Sequence, residues 1–138
     1  MTIRATTSAI QLTLLTVDDV DCIVPSTFRH DPCDPYAVRV EMGIGGCLVE
    51  WFMSRELLQA GRHDLAGIGD VCVHPGFDED GAPVVHLELS SPDGQAVLVV
   101  PARELEQFLD DSYRAIPAGS ETEHLDIDAA LAQLLADC

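Results

Sequence analysis

The chain has 138 residues, 24 acidic against 7 basic, which sets a formal charge of −17. That length suits one domain spanning residues 1–138, and 47% hydrophobic content supplies a core and excludes wholesale disorder. All seven basic residues are arginines, no two adjacent, so nucleic acid is not an expected partner and direct membrane insertion is not expected either.

Ile10, Leu12 and Leu14 alternate with Gln11 and Thr13, which predicts a half-buried strand. A second strand is expected from Val20 to Phe28, and Pro25 places it at a sheet edge or a bend. His30 to Pro35 reads as a loop, because two prolines with aspartates beside them do not feed a ladder. Tyr36, Val38, Val40 and Met42 mark a third strand. Gly43-Ile44-Gly45-Gly46 turns it into a fourth, Cys47 to Met53, as a hairpin.

Ser54 to Gly61 predicts a short helix: Ser54 caps it, Glu56 suits its positive end, and Gly61 supplies a left-handed stop. Strands follow at Gly69 to His74 and at Pro83 to Ser90. The turn Ser91-Pro92-Asp93-Gly94 then leads into Gln95 to Val100. Pro101 opens a helix through about Arg114, with Leu105, Phe108, Leu109, Ser112 and Ile116 as its apolar stripe, and Ile116-Pro117-Ala118-Gly119 stops it. Beyond a polar connector, Asp126 caps a final helix with the stripe Ile127, Leu131, Leu134, Leu135 and Cys138. Strands then helix, twice over, give an α+β class.

The first residues, Met1 to Thr7, lack the apolar stretch of a signal peptide, and no apolar run approaches the roughly 20 residues of a membrane helix. Five scattered cysteines (Cys22, Cys33, Cys47, Cys72, Cys138) fit a reduced cytoplasmic protein in which cysteine serves as a small buried hydrophobe. Cys72 and His74 share one strand face and His30 precedes Cys33 by three, yet no Cys-x-x-Cys or His-Glu-x-x-His accompanies them. Asp78-Glu79-Asp80-Gly81 lacks the later glutamate of a calcium loop. No metal and no cofactor is therefore expected.

Catalytic motifs fare no better. Ser54 lacks the flanking glycines of a nucleophile elbow, and the glycines at 43, 45, 46, 67 and 69 have no Gly-Lys-Ser/Thr ending. No catalytic residue is expected. Two features remain. Trp51 and Phe52 are neighbours on a strand, so they face opposite ways, and one must leave the core unless a subunit or partner covers it. The final helix, through Ile127, Leu131, Leu134 and Leu135, can pack on its own sheet or reach a neighbour.

The blocks His30-Asp31-Pro32-Cys33-Asp34-Pro35-Tyr36-Ala37-Val38 and Val49-Glu50-Trp51-Phe52-Met53-Ser54-Arg55-Glu56-Leu57-Leu58 resemble the SsgA-like sporulation and cell-division proteins of actinomycetes. Gly69-Asp70-Val71, Leu89 to Ala96 and the closing Leu125-Asp126-Ile127-Asp128 extend the similarity in order along nearly the whole chain. Departures fall at His30, where the family has tyrosine, at Cys72 and His74, where it commonly has arginine and tryptophan, and at Ser54, commonly alanine.

The resemblance implies a Whirly-like fold, two antiparallel sheets of seven or eight strands in all with two or three helices. It also implies a homo-oligomer, with a trimer as the candidate size. In the SsgB-like branch it implies a non-enzymatic role: localising FtsZ, alongside SsgA-like paralogues, and promoting septum formation at the division septum. The residues alone leave two other classes open: an acidic chaperone or secretion adaptor, and an enzyme with a scattered polar site. An oligomer is also expected on physical grounds, through sheet edges and at least one of Trp51 and Phe52.

Overall fold

A computed structural model describes residues 4–16 and 22–121. Eight strands precede or flank two helices: β1 (Thr6–Leu15), β2 (Cys22–Asp31), β3 (Asp34–Ile44), β4 (Cys47–Ser54), α1 (Arg55–Gly61), β5 (Ala66–Ile68), β6 (Val71–Phe77), β7 (Pro83–Ser91), β8 (Gly94–Pro101) and α2 (Ala102–Ala115). The α+β class is as expected. The two sheets are not. Among the described residues every strand joins one antiparallel sheet, in the order β4-β3-β2-β1-β8-β7-β6-β5.

The expectation of two sheets fails at one seam. β1 pairs with β2 from Thr6↔His30 to Leu14↔Cys22, whereas its far side meets β8 only at Thr13↔Val99, Leu14↔Leu98 and Leu15↔Val97. Two four-stranded halves are thus welded by a short ladder. The sheet also curls: α1 touches β3 and β4 near one edge and β5 and β6 at the other, while α2 lies across β1, β7 and β8 in the middle.

Both helices cover the concave face. There Phe28 meets Phe108 edge to face at 5.7 Å, among Leu12, Val40, Leu58, Leu87, Leu98 and Leu105, all fully buried. Each such side chain contributes about 1.5–3 kcal/mol by leaving water. The apolar stripe expected of α2 is the one buried: Leu105, Phe108, Leu109 and Ser112, followed by Ile116.

Several local expectations are corrected. Residues 30–35 form no open loop, because β2 runs to Asp31 and β3 starts at Asp34. A tight turn at Pro32-Cys33 joins them, held by Asp31 Oδ1, which accepts from the Cys33 amide at 3.0 Å. Pro25 lies in an interior strand, not at an edge. It is tolerated because the β2–β3 ladder begins only at Ser26↔Met42, so its missing N–H faces no acceptor there. The three-residue β5 was too short to read, and Gly69 (φ 59°) turns it into β6.

Ser54 does cap α1: its Oγ accepts from the Leu57 amide at 3.1 Å, a contact worth about 1 kcal/mol. Gly61, however, is no left-handed stop; it is the last helical residue, and Arg62 caps the helix at φ −69°. Glycine is required there by contact, since a Cβ would overlap the Val73 side chain. Gly45 and Gly46, at φ 58° and 79°, make the β3–β4 hairpin turn. The final helix expected after Asp126, with Ile127, Leu131, Leu134 and Leu135, lies outside the described residues.

Candidate functional site

Strand alternation sends Trp51 and Phe52 to opposite faces of β4. Trp51 packs, half-buried, against the core, and Phe52 stands on the convex face, 59% exposed, where neither α1 nor α2 lies among the described residues. Register then decides its neighbours. Phe52 is opposite Arg39, and Arg39 is opposite Arg29, so one row crosses β4, β3 and β2. Two arginines directly opposite one another repel. Each is offset by a carboxylate two residues along its own strand: Arg29 Nη2 to Asp31 Oδ2 at 3.0 Å and Arg39 Nη2 to Glu41 Oε1 at 3.2 Å.

The row floors a shallow depression of about 200 Å³, lined by Arg29, Asp31, Cys33, Asp34, Arg39 and Phe52. Arg39 Nε is buried there with no hydrogen-bond partner. An exposed aromatic beside partly buried arginines has the composition of an interface hot spot. Sequence reasoning singled out Trp51 and Phe52 together without deciding which leaves the core, and passed over Arg29 and Arg39, which are ten residues apart and become neighbours only through the β2–β3 register.

A second polar centre lies at the other face, and its role is structural. Arg55 is 1% exposed. Its Nη1 donates to the carbonyl oxygens of Ser112 (3.1 Å) and Ile116 (2.8 Å), and Nη2 donates to Glu121 Oε1 at 2.9 Å. The guanidinium sits 4.0 Å from the Tyr113 ring centre. A cation opening a helix opposes that helix's own dipole. Here the conflict is resolved because Arg55 serves the negative C-terminal end of α2 instead. Glu121 is held below the usual carboxylate range, by its own backbone amide first and then by Arg55 and the Gly119 amide.

Among the described residues the cysteines depart from expectation, since Cys22, Cys33 and Cys47 are exposed at strand ends and turns and Cys72 is half-buried. His30 is buried. Its Nε2 lies 2.7 Å from the Pro35 carbonyl, which can only accept, so Nε2 carries the proton. Burial lowers its pKa, as it does for His86 on β7, where His74 adds like-charge repulsion.

The unfolded imidazoles titrate near ~6.5, above their folded values, so below that pH the unfolded chain binds more protons. Stability is present above the unfolded value and is lost as the pH falls through the folded one. The urea midpoint is therefore expected to drop between about pH 7 and about pH 5, and His30→Gln is expected to flatten that slope. An unchanged slope in the variant contradicts the assignment to His30.

Among the described residues, no helix is long and apolar enough to cross a membrane. The chain matches, over residues 24–121, the family model described as "Streptomyces sporulation and cell division protein, SsgA". It is 44% identical to a sporulation-specific cell division protein SsgB of Salinispora tropica, covering 97% of this chain and 96% of that one. The SsgB of Streptomyces coelicolor is 41% identical over 93% of each chain. A solved structure concerned with SsgB mutations that correlate to longitudinal cell division during sporulation of Streptomyces coelicolor superposes with a TM-score of 0.85 at 38% identity, covering 91% of this chain and 99% of that one. The SsgA-like sporulation-specific cell division protein of Thermobifida fusca gives the same TM-score at 33% identity, covering 96% and 97%.

Proposed function

This chain belongs to the SsgA family of Streptomyces sporulation and cell division proteins, in its SsgB-like branch, and on that premise we propose that it is a non-enzymatic adaptor of sporulation-specific cell division, acting in the cytoplasm at the septum. Its task in this reading is to help localise FtsZ and promote septum formation, together with SsgA-like paralogues. The observation that supports the reading best is the Phe52–Arg39–Arg29 row on the convex face, where Phe52 is exposed among the described residues. It offers an aromatic anchor flanked by two arginine–carboxylate pairs, a mixed apolar and charged surface on which a partner can dock.

Residues 1–138 serve as a single domain of Whirly-like build, and several copies act together. Both sheet edges carry exposed apolar residues, Leu48 on β4 (72%) and Ile68 on β5 (64%). Pairing edges in a closed homo-oligomer, with a trimer the expected size, covers them and multiplies the partner surface. Light scattering reads the size directly.

Co-sedimentation with FtsZ polymers tests the adaptor role. The protein is expected to pellet with the polymer, and Phe52→Asp to weaken this by about tenfold or more, as loss of a hot spot does. Because Phe52 is exposed, that variant is expected to keep its stability within about 0.5 kcal/mol. Equal pelleting by both proteins removes Phe52 from the surface; no pelleting by either removes direct FtsZ binding.

A further inference from the structure

The β1–β8 seam is short because the two strands diverge. β1 holds β2 from Thr6 to Leu14 but meets β8 only from Thr13 to Leu15. From Thr6 to Leu12 its other side has no strand partner among the described residues. Opposite residues of an antiparallel pair exchange either both backbone bonds or none. Pro25, opposite Gln11, has no N–H to exchange, so Thr7, Ala9 and Gln11 turn their N–H and C=O groups away from β2 and into the gap. Ile10, one residue off, faces the other way: its carbonyl accepts from Ser26 Oγ on β2 at 2.6 Å. Thr7, Ala9 and Gln11 are also exposed.

A cleft of about 500 Å³ opens on the convex side where the ladder stops, lined by Gln11 and Leu15 of β1, Val99 and Pro101 of β8, and Phe77 and Pro83 at the β6–β7 hairpin tip. Phe77 is 73% exposed, an aromatic free to cover an incoming side chain. Asp78 Oδ1 closes the tip by accepting from the Asp80 and Ala82 amides at 2.9 and 2.8 Å. That leaves the carboxylates of Glu79 and Asp80 on the rim, exposed and in no ion pair among the described residues. The backbone row and the cleft meet at Gln11. Unpaired N–H and C=O groups set in a row along a strand are matched by another extended backbone, which commits the occupant to polypeptide.

We propose that β1 is a docking strand for an extended, basic and apolar peptide of a partner protein, which pairs alongside Thr7, Ala9 and Gln11, seats an apolar side chain in the cleft beside Leu15 and Phe77, and sets a basic one against Glu79 and Asp80. Backbone pairing supplies affinity, and the cleft and its rim supply selectivity. The two free carboxylates fix the sign of the partner, since an acidic segment is repelled there. The proposal rests on the backbone of β1 and not on Phe52, so it stands or falls apart from the FtsZ reading.

The probe is a fluorescein-labelled heptapeptide of alternating lysine and valine, titrated into the full chain at physiological salt and followed by anisotropy. The same peptide with every interior amide N-methylated keeps its charges and side chains but donates no backbone bond. It is expected to bind more weakly by about tenfold or more. Ala9→Pro removes an N–H that faces the gap, so the β1–β2 ladder is expected to survive, as it does at Pro25, while affinity falls by about as much. Glu79→Gln combined with Asp80→Asn is expected to weaken binding severalfold. Circular dichroism checks folding; if Ala9→Pro does not fold, the N-methylated peptide and the carboxylate variant decide. Hydrogen exchange locates the contact: the amides of Thr7, Ala9 and Gln11 are expected to exchange fast in the free chain and slowly with the peptide bound. No binding overturns the proposal. So do equal affinities for the two peptides, which mean plain attraction to a chain of charge −17, and binding that leaves those three amides unprotected.

Discussion

Arg55→Ala is expected to be the most damaging substitution in the polar part of this molecule, lowering stability by about 3 kcal/mol and the melting temperature on the order of 10 °C. Three hydrogen bonds vanish together, two to carbonyls at the end of α2 and one to Glu121. The Ser112 carbonyl retains a partner, because it also accepts from the Ile116 amide at 2.9 Å. The Ile116 carbonyl and the pocket over Tyr113 do not. The loss lies at the low end of the range for a broken buried pair because Glu121, at 14% exposure, reaches water once released.

Arg55→Lys is expected to recover less than half of the loss, since one ammonium cannot reach three acceptors fixed by a planar fork. Denaturant titration decides it. An alanine variant within 1 kcal/mol of the parent, at unchanged m-value, contradicts the clamp.

Gly61→Ala is expected to destabilise by about 1–2 kcal/mol, although alanine is the better helix former by about 1 kcal/mol. The added methyl overlaps the Val73 side chain and comes 3.0 Å from the Val73 carbonyl oxygen. Overlap in a packed site forces α1 away from β6, and α1 is the element that touches both ends of the curled sheet. The overlap has a named partner, so it has a named rescue. Val73→Ala alone costs stability through a cavity, yet the double variant is expected to lose less than the two single losses added, with a coupling of about 1 kcal/mol. Strict additivity means that Gly61 is constrained by something other than Val73.

The two residues show where sequence reasoning reaches and where it stops. The Ser54 cap and the α2 stripe are local patterns, written in spacings of three and four, and both are in the structure. So are the hairpin glycines, whose positive φ only that residue adopts cheaply. Gly61 carries the same letter for another reason, a close approach to a strand twelve residues on, and its surroundings in sequence look like an ordinary helix end.

Arg55, in the first turn of α1, carries no local pattern that marks it as buried. Its local conflict with the helix dipole was the one available signal that a distant element claims it. The β1–β8 seam was illegible for the same reason: Thr13 and Val99 pair across the whole chain, and nothing near either residue announces the other. The candidate surface was half-legible. Alternation alone put one of Trp51 and Phe52 outside without saying which, and only register could bring Arg39 and Arg29 beside Phe52 and set Glu88 and His86 against Cys72 and His74.

The central claim is that the convex row around Phe52 carries the chain's work in sporulation-specific division. It is tested most directly by imaging septa in a sporulating strain that lacks this protein, complemented with fluorescent fusions of the parent, Phe52→Asp, or Gln107→Asp on the exposed side of α2. The parent and Gln107→Asp are expected to gather at future septa and restore regular septation, while Phe52→Asp, folded and equally abundant, stays diffuse and leaves septa sparse. Normal septa and septal fluorescence with Phe52→Asp contradict the account.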